Sequence, residues 1–179
     1  MKLSDKTIIK ALQNDPEEGF RLLMAYYAKP LYWHIRRLVV SHADAQDATQ
    51  ETLVRIFRNI DKLHKAGSFT AWIYRIATNE ALRIIEHRQP EAKPIEQLKT
   101  DSPTTTEQIN YDDIEAIKLQ QAILSLPTKQ QLTFNLRYYD ELSYDQIAAI
   151  TETTATSAKA NYHLAKNASS NTYKPMIEP

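Results

Sequence analysis

The sequence contains no cysteine and only two glycines among its 179 residues. Without cysteine the chain can form neither disulfides nor thiolate metal sites, a composition typical of the reducing cytosol. The two glycines, Gly19 and Gly67, are too few for a P-loop or a GxGxxG phosphate-binding turn. Scarce glycine also disfavours a sheet protein with many tight turns, so the composition favours an all-α fold.

Long apolar runs and an excess of one charge are also lacking. Residues 1–13 contain no stretch of signal-peptide length, and no run approaches the roughly 18 apolar residues of a membrane span. We therefore expect a cytoplasmic protein without membrane insertion. The 22 basic and 22 acidic residues balance, which gives no general support for nucleic-acid binding. However, residues 55–88 and 153–174 are locally basic and predict two contact regions for a polyanion, with a solvated surface as the alternative.

No constellation of side chains suggests catalysis or a cofactor. Five histidines lie without the spacing of metal ligands: His34, His42, His64, His87 and His163. No serine, histidine and acid combine into a recognisable nucleophilic set. We therefore expect a protein that is not an enzyme and that needs neither metal nor cofactor.

Apolar residues recur at helical spacing along most of the chain. The prolines and threonines of residues 90–110 interrupt this pattern and predict a flexible linker. The expected fold is therefore two small helical domains, residues 1–89 and 111–179, the second of which ends in a loose C-terminal tail beyond about Asn171. Asp15 and Pro16 predict a helix start, whereas residues 61–67 are expected to form a basic loop.

The helical pattern also predicts which side chains are buried. The third helix should bury Ala45, Ala48, Thr49, Thr52, Leu53, Ile56, Phe57 and Ile60. The fourth should bury Phe69, Trp72, Ile73, Ile76 and Ala77. Tyr74 and Arg75 are then expected to point away from that core, where an aromatic ring can stack on an unpaired base.

A capping box marks the start of a helix near the C-terminus. Ser143 is followed three residues later by Gln146, and Thr154 can cap another helix after a short turn. Two short helices joined by a tight turn, the second with polar and basic residues outward, are typical of a helix-turn-helix.

Four sequence blocks resemble those of extracytoplasmic-function sigma factors, a type within the sigma-70 family. Residues 44–53 are similar to the family's DAEDxxQExF segment, and residues 69–79 to its FxxWLyrIAxN segment. Residues 122–127 and 137–148 resemble region 4, which reads the −35 element. The blocks occur in the family's order, with a linker where the family has one. The family's turn glycines are absent, and Asn161 and Leu164 stand where it often has arginines.

The resemblance implies a transcription initiation factor that binds core RNA polymerase and promoter DNA, with an anti-sigma factor as a further partner. Core polymerase would bind Asp47, Gln50, Glu51, Arg55 and Arg58. The −10 element would be held and opened by Lys62, Lys65, Ser68, Tyr74, Arg75, Asn79 and Arg83. The −35 element would be read by Thr156, Ser157, Lys159, Ala160, His163 and Lys166.

Two other interpretations are open at this point. An ordinary helix-turn-helix regulator would use residues 1–90 as a sensing domain and bind its operator without polymerase. A degenerate sigma-like adaptor would bind only proteins, an alternative that stays open because the second helix of the predicted helix-turn-helix is only weakly basic.

Overall fold

The structure, a computed structural model, describes residues 4–65, 68–88 and 114–173. These residues contain α-helices and one 3-10 helix but no strand, so the predicted all-α fold is confirmed. The elements are α1 (Asp5–Asn14), α2 (Pro16–Val39), α3 (His42–Arg58), the 3-10 helix (Ile60–Lys65), α4 (Phe69–His87), α5 (Ile114–Leu124), α6 (Thr128–Tyr138), α7 (Tyr144–Thr151) and α8 (Ala155–Tyr173). The predicted linker, residues 90–110, lies outside the described residues, and the predicted domain limits stay predictions.

Two compact units divide the helices, α1 to α4 in the first and α5 to α8 in the second. In the first unit, α2 packs against both α1 and α4. Its most buried apolar side chains include Ile8, Leu12, Leu23, Leu31, Ile35, Ile56, Ile73 and Ala77. In the second unit, α8 packs against α5, α6 and α7 around a core of Ile123, Phe134 and Ala165. None of the helices in the described ranges is long and apolar enough to cross a membrane.

The junction between α1 and α2 confirms the predicted helix start. Pro16 occupies the first helical position, where no backbone N–H is needed, and Asp15 Oδ1 accepts the Glu18 N–H at 3.3 Å. A Cβ added to the buried Gly19 would lie 2.4 Å from Leu12 Cα. Because real side chains cannot approach backbone atoms so closely, only glycine permits α1 and α2 to pack at this distance.

The buried face of α3 matches the prediction except at one aromatic residue. Ala45, Ala48, Thr49, Thr52, Leu53 and Ile56 are buried in α3, and Ile60 is buried in the 3-10 helix that follows. Phe57 is 39% exposed, so its assignment to the core was wrong. A helix turns by about 100° per residue, and the neighbour of the fully buried Ile56 therefore lies at the edge of the stripe. There the Phe57 ring meets Phe20 edge-on at 5.5 Å.

Two aromatic residues of the fourth helix, Trp72 and Tyr74, differ in burial from the prediction. Phe69, Ile73 and Ala77 are buried as expected, but Tyr74 is only 4% exposed and is therefore excluded from the DNA surface. Its ring packs edge-on against His34 of α2 at 5.3 Å. Trp72 and Ile76, which were predicted to be buried, are half-buried instead. The reason is that α2 covers the Tyr74 side of α4, which the sequence of α4 alone does not indicate.

The segment predicted as a basic loop is partly helical. A 3-10 helix covers Ile60–Lys65 and buries Leu63, so it is held against the first unit by an apolar side chain. Asn59, just before it, donates its side-chain amide to the Arg55 carbonyl at 2.8 Å. This hydrogen bond helps to end α3 because it occupies a carbonyl of the last turn.

Candidate nucleic-acid interface

The polar face of α3 lies opposite its buried stripe. Asp47, Gln50, Glu51 and Arg58 are exposed there, and the Arg55 side chain is 40% exposed. Asp47 and Glu51 are separated by one helical turn, so the two carboxylates project from the same side of the helix. The five predicted polymerase-binding residues thus lie on one exposed helix surface.

A buried carboxylate connects this helix to α4. The side chain of Glu80 is 7% exposed, and its Oε1 lies 2.8 Å from Arg55 Nε and 3.1 Å from Arg83 Nη2. Arg55 Nε also lies 2.9 Å from Oε1 of Glu51. The four side chains form a continuous ion-pair network, and Glu80 is the only one of the four that is deeply buried. Glu80 was not among the predicted site residues, because its spacing to Arg83 indicates a pair within α4 but not the partner on α3.

A groove of about 280 Å³ lies beside this network, between α3, the 3-10 helix and α4. It is lined by Arg55, Asn59, Lys62, Trp72, Ile76, Asn79, Glu80 and Arg83. Three cations, two amides and the face of an indole are suited to a nucleotide strand, since they provide phosphate contacts, hydrogen bonds and a stacking surface. Asn59 and Trp72 were not among the predicted site residues.

The remaining predicted −10 residues have separate positions. Ser68 is exposed and its Oγ accepts the Ala71 N–H at 3.3 Å, so it caps α4. Arg75 is exposed on α4 but does not line the groove. The side chain of Lys65 lies outside the described residues. The structure therefore brings Lys62, Asn79 and Arg83 together and leaves Arg75 apart from them.

A helix-turn-helix is formed by α7 and α8. The predicted capping box is confirmed: the Gln146 N–H donates to Ser143 Oγ at 3.2 Å, and the Ser143 N–H donates to Gln146 Oε1 at 3.0 Å. Glu152 ends α7 in the left-handed conformation, with φ 56° and ψ 46°. The predicted cap of α8 is also confirmed, since the Ser157 N–H donates to Thr154 Oγ1 at 3.1 Å.

The start of α7 is fixed to α6 by an arginine. The Arg137 guanidinium stacks over the Tyr144 ring at 4.7 Å and donates from Nη1 to the Leu142 carbonyl at 2.9 Å. Such a cation–π contact is worth about 0.5–2 kcal/mol, depending on how well it is desolvated. Arg137 thereby orients the helix-turn-helix relative to the rest of the second unit.

The outer face of α8 carries the predicted −35 residues. Thr156, Ser157, Lys159, Ala160, His163 and Lys166 are all exposed. Lys159 and Lys166 supply positive charge, whereas α8 contains no arginine and exposes Leu164 to 54%. The face is thus polar at its N-terminal half and only weakly basic.

Two histidines of the described ranges, His34 and His87, make hydrogen bonds within the protein. His34 is fully buried, and its Nε2 is hydrogen-bonded to Thr78 Oγ1 at 2.8 Å. His87 contacts the Arg83 carbonyl at 2.7 Å through Nδ1. In the described part of the chain, no three histidine or acidic side chains come together as a metal site.

Comparison with known proteins assigns both units to one family. The family models Sigma-70 region 2 and Sigma-70, region 4 match residues 23–90 and 116–168. The chain belongs to the sigma-70 family. It is 26% identical to the ECF RNA polymerase sigma-E factor of Escherichia coli, over 98% of this chain and 97% of that protein. Identity to the ECF RNA polymerase sigma factor SigW of Bacillus subtilis is 28%, over 94% and 96% of the two chains.

Solved structures show the same fold. CnrH, in complex with the cytosolic domain of CnrY, superposes with a TM-score of 0.75 at 16% identity, over 96% of this chain and 98% of CnrH. The sigma factor RpoE of Bartonella quintana, in complex with the anti-sigma factor NepR, gives a TM-score of 0.70 at 19% identity, over 90% and 99% of the chains. This sigma factor of the extracytoplasmic-function type therefore works with core RNA polymerase at promoter DNA, and the resemblance identified in the sequence is confirmed.

Proposed function

We propose that this sigma factor acts through three surfaces, each with one partner. The exposed face of α3 binds core RNA polymerase, the groove between α3 and α4 holds the opened −10 strand, and α8 enters the −35 major groove. The exposed face of α3 carries most of this proposal. Asp47, Gln50 and Glu51 are exposed while the opposite side of the same helix is fully packed, so these polar groups are available to a partner.

The groove suits a single strand better than a duplex. Trp72 lines the groove and is half-buried, so its indole can stack on an unpaired base; such stacking contributes about 1–3 kcal/mol per base. Lys62 and Arg83 also line the groove and can neutralise phosphates of the strand. Asn79 offers both a donor and an acceptor to a base edge. The groove therefore offers stacking and phosphate contacts that can bind a strand, together with hydrogen bonds that can distinguish its bases.

The second unit presents α8 to duplex DNA. Its capped N-terminal half exposes Thr156, Ser157 and Ala160, which are small enough for close approach to base edges, including the thymine methyl group. Lys159 and Lys166 can contact the flanking phosphates. With only two such lysines, promoter choice depends on both units acting together on one polymerase.

The chain itself is proposed to carry out no chemistry. It contributes binding energy and leaves RNA synthesis to the polymerase, in the cytoplasm. We also propose an anti-sigma partner, because the structural relative RpoE is seen in complex with the anti-sigma factor NepR and covers 90% of this chain.

Transcription in vitro tests the proposed function. Core RNA polymerase is mixed with the purified chain and with a library of fragments of its source genome, and the 5′ ends of transcripts are sequenced. Transcripts that start downstream of one shared pair of elements are expected, and core polymerase alone should not produce them. If the chain binds core polymerase but yields no such transcripts, the protein-binding adaptor is the correct interpretation.

A further inference from the structure

The groove between α3 and α4 contains an acid where a DNA site normally presents cations and amides. Glu80 is the one acidic side chain among the described groove residues, and its carboxylate lies beneath Arg55 and Arg83. A carboxylate in this position repels phosphate and withdraws donors from it. Its presence is therefore not explained by the attraction of DNA.

The ion pairs are asymmetric in exposure. Glu80 is 7% exposed, whereas the side chains of Arg55 and Arg83 are 40% and 50% exposed. A buried carboxylate depends on its partners, because without them its desolvation is not offset. The two arginines reach water and do not need Glu80 to the same degree. Glu80 thus occupies donor groups of both arginines that could otherwise bind phosphate. If its charge is removed, both guanidinium groups still reach water, so neither becomes an unpaired buried charge.

We propose that Glu80 is a specificity-determining residue that restrains Arg55 and Arg83 and so prevents them from gripping the phosphates of any strand that enters the groove. This inference rests on the proposed function of the groove. The restraint is released only when a strand also makes the contacts offered by Trp72 and Asn79. Binding sites often discriminate between partners through an interaction that weakens the binding of the incorrect partner. Arg55 then serves the groove as well as the polymerase surface.

Glu80→Gln tests the restraint directly, because glutamine keeps the size and one acceptor oxygen but not the charge. Binding of the full-length chain to a fluorescein-labelled oligothymidylate is measured by anisotropy over a series of salt concentrations. The variant should bind more tightly than the wild type at low salt. The slope of log affinity against log salt should steepen by about 0.7, the contribution of one phosphate contact on a single strand, because Arg83 is released while Arg55 keeps its ion pair with Glu51. A purely structural role predicts weaker binding instead.

Glu18→Gln is the matched control. Glu18 pairs with Arg21 three residues later, as Glu80 pairs with Arg83, but both side chains are exposed and lie outside the groove. This control removes the same charge and should leave the salt slope unchanged. Arg83→Gln adds a second comparison: it should flatten the slope more in the Glu80→Gln protein than in the wild type, because only there is the arginine released.

An affinity and slope of Glu80→Gln at or below those of Glu18→Gln would overturn the proposal. If circular dichroism shows that Glu80→Gln does not fold, Glu80→Asp replaces it; this variant keeps the charge but is one methylene too short for the contact with α3. The salt slope of Glu80→Asp should lie between the wild-type slope and the slope expected for Glu80→Gln. A slope equal to that of the wild type would also contradict the proposal. The proposed role in initiation is tested separately by the transcripts of the wild-type holoenzyme, which do not depend on the oligothymidylate measurements.

Discussion

The Tyr27 hydroxyl donates a hydrogen bond of 2.5 Å to Oδ1 of Asp5, while the Thr70 hydroxyl donates to Oδ2 at 3.0 Å. Asp5 belongs to α1, Tyr27 to α2 and Thr70 to the first turn of α4. One carboxylate therefore joins three helices of the first unit. It also fixes the start of α4, the helix that forms one side of the groove.

Alkaline pH should weaken this junction. Burial, and then the hydrogen bond to Asp5, raise the pKa of Tyr27 well above its usual range. The unfolded chain ionises this tyrosine near pH 10, before the folded chain does, so stability is complete below about pH 10 and declines as the pH rises further. Tyr27→Phe should remove this part of the decline. Urea unfolding of both proteins between pH 8 and 11 measures the difference, and parallel curves would contradict the assignment.

Gly19→Ala should destabilise the first unit by at least about 2 kcal/mol, because the new methyl group meets the backbone of Leu12. The sign is diagnostic, since the same change in an unhindered helix stabilises by about 1 kcal/mol. Chemical denaturation followed by circular dichroism gives the free energy of unfolding. An increase in stability would show that α1 and α2 do not pack this closely.

Neighbouring residues of α3 should differ in their effect on stability. Ile56→Ala removes a fully buried side chain and should cost about 2–5 kcal/mol. Phe57→Ala should cost less, about 1–2 kcal/mol, because a ring that is 39% exposed contributes only part of the burial energy of a fully buried phenylalanine. Denaturation curves of the two variants provide the comparison. A larger loss for Phe57→Ala would place that ring in the core, as the sequence alone suggested.

Glu152→Gly should stabilise the second unit by up to about 1 kcal/mol. Glu152 has a left-handed conformation, which costs an ordinary residue about 1–2 kcal/mol and glycine almost nothing, although glycine loses more entropy on folding. Asp145→Gly, in the first turn of α7, is a control that should destabilise. Thermal melting distinguishes the two. A lower melting temperature for Glu152→Gly would mean that its side chain stabilises the turn in another way.

The sequence predicted those features that depend on local chemistry. The capping box of Ser143 and Gln146 and the cap at Thr154 are specified within three residues of one another, and both are confirmed. The buried stripe of α3 was also correct apart from Phe57, because a 3.6-residue period specifies a face directly. The edge of that face depends on the neighbouring helix, and at this edge the prediction failed.

Features that depend on contacts between helices were not predictable in this way. Tyr74 and Trp72 are both compatible with either side of α4, and only the position of α2 decides that Tyr74 is buried against His34. Likewise, Glu80 is separated from Arg55 by 25 positions in the sequence, and no periodicity connects them. The sequence therefore predicted only half of the residues that line the groove, although these include all three of its cations.

The exposed face of α3 is proposed to bind core polymerase, and the charges of its two carboxylates can be reversed without disturbing the core. Asp47 and Glu51 are exposed, and the pair of Glu51 with Arg55 is worth less than about 1 kcal/mol. Asp47→Lys combined with Glu51→Lys should therefore leave the circular dichroism and melting temperature close to those of the wild type. A second double variant, Glu17→Lys with Glu141→Lys, makes the same change in net charge at exposed positions outside the proposed surfaces.

The most direct measurement is the affinity of these two double variants for core RNA polymerase. Like charges placed against a complementary surface cost several kcal/mol, so reversal at positions 47 and 51 should weaken binding by at least about 100-fold and abolish specific transcription. The variant reversed at positions 17 and 141 should bind like the wild type. If the chain reversed at 47 and 51 still binds core polymerase as tightly and starts transcription, the face of α3 is not the docking surface.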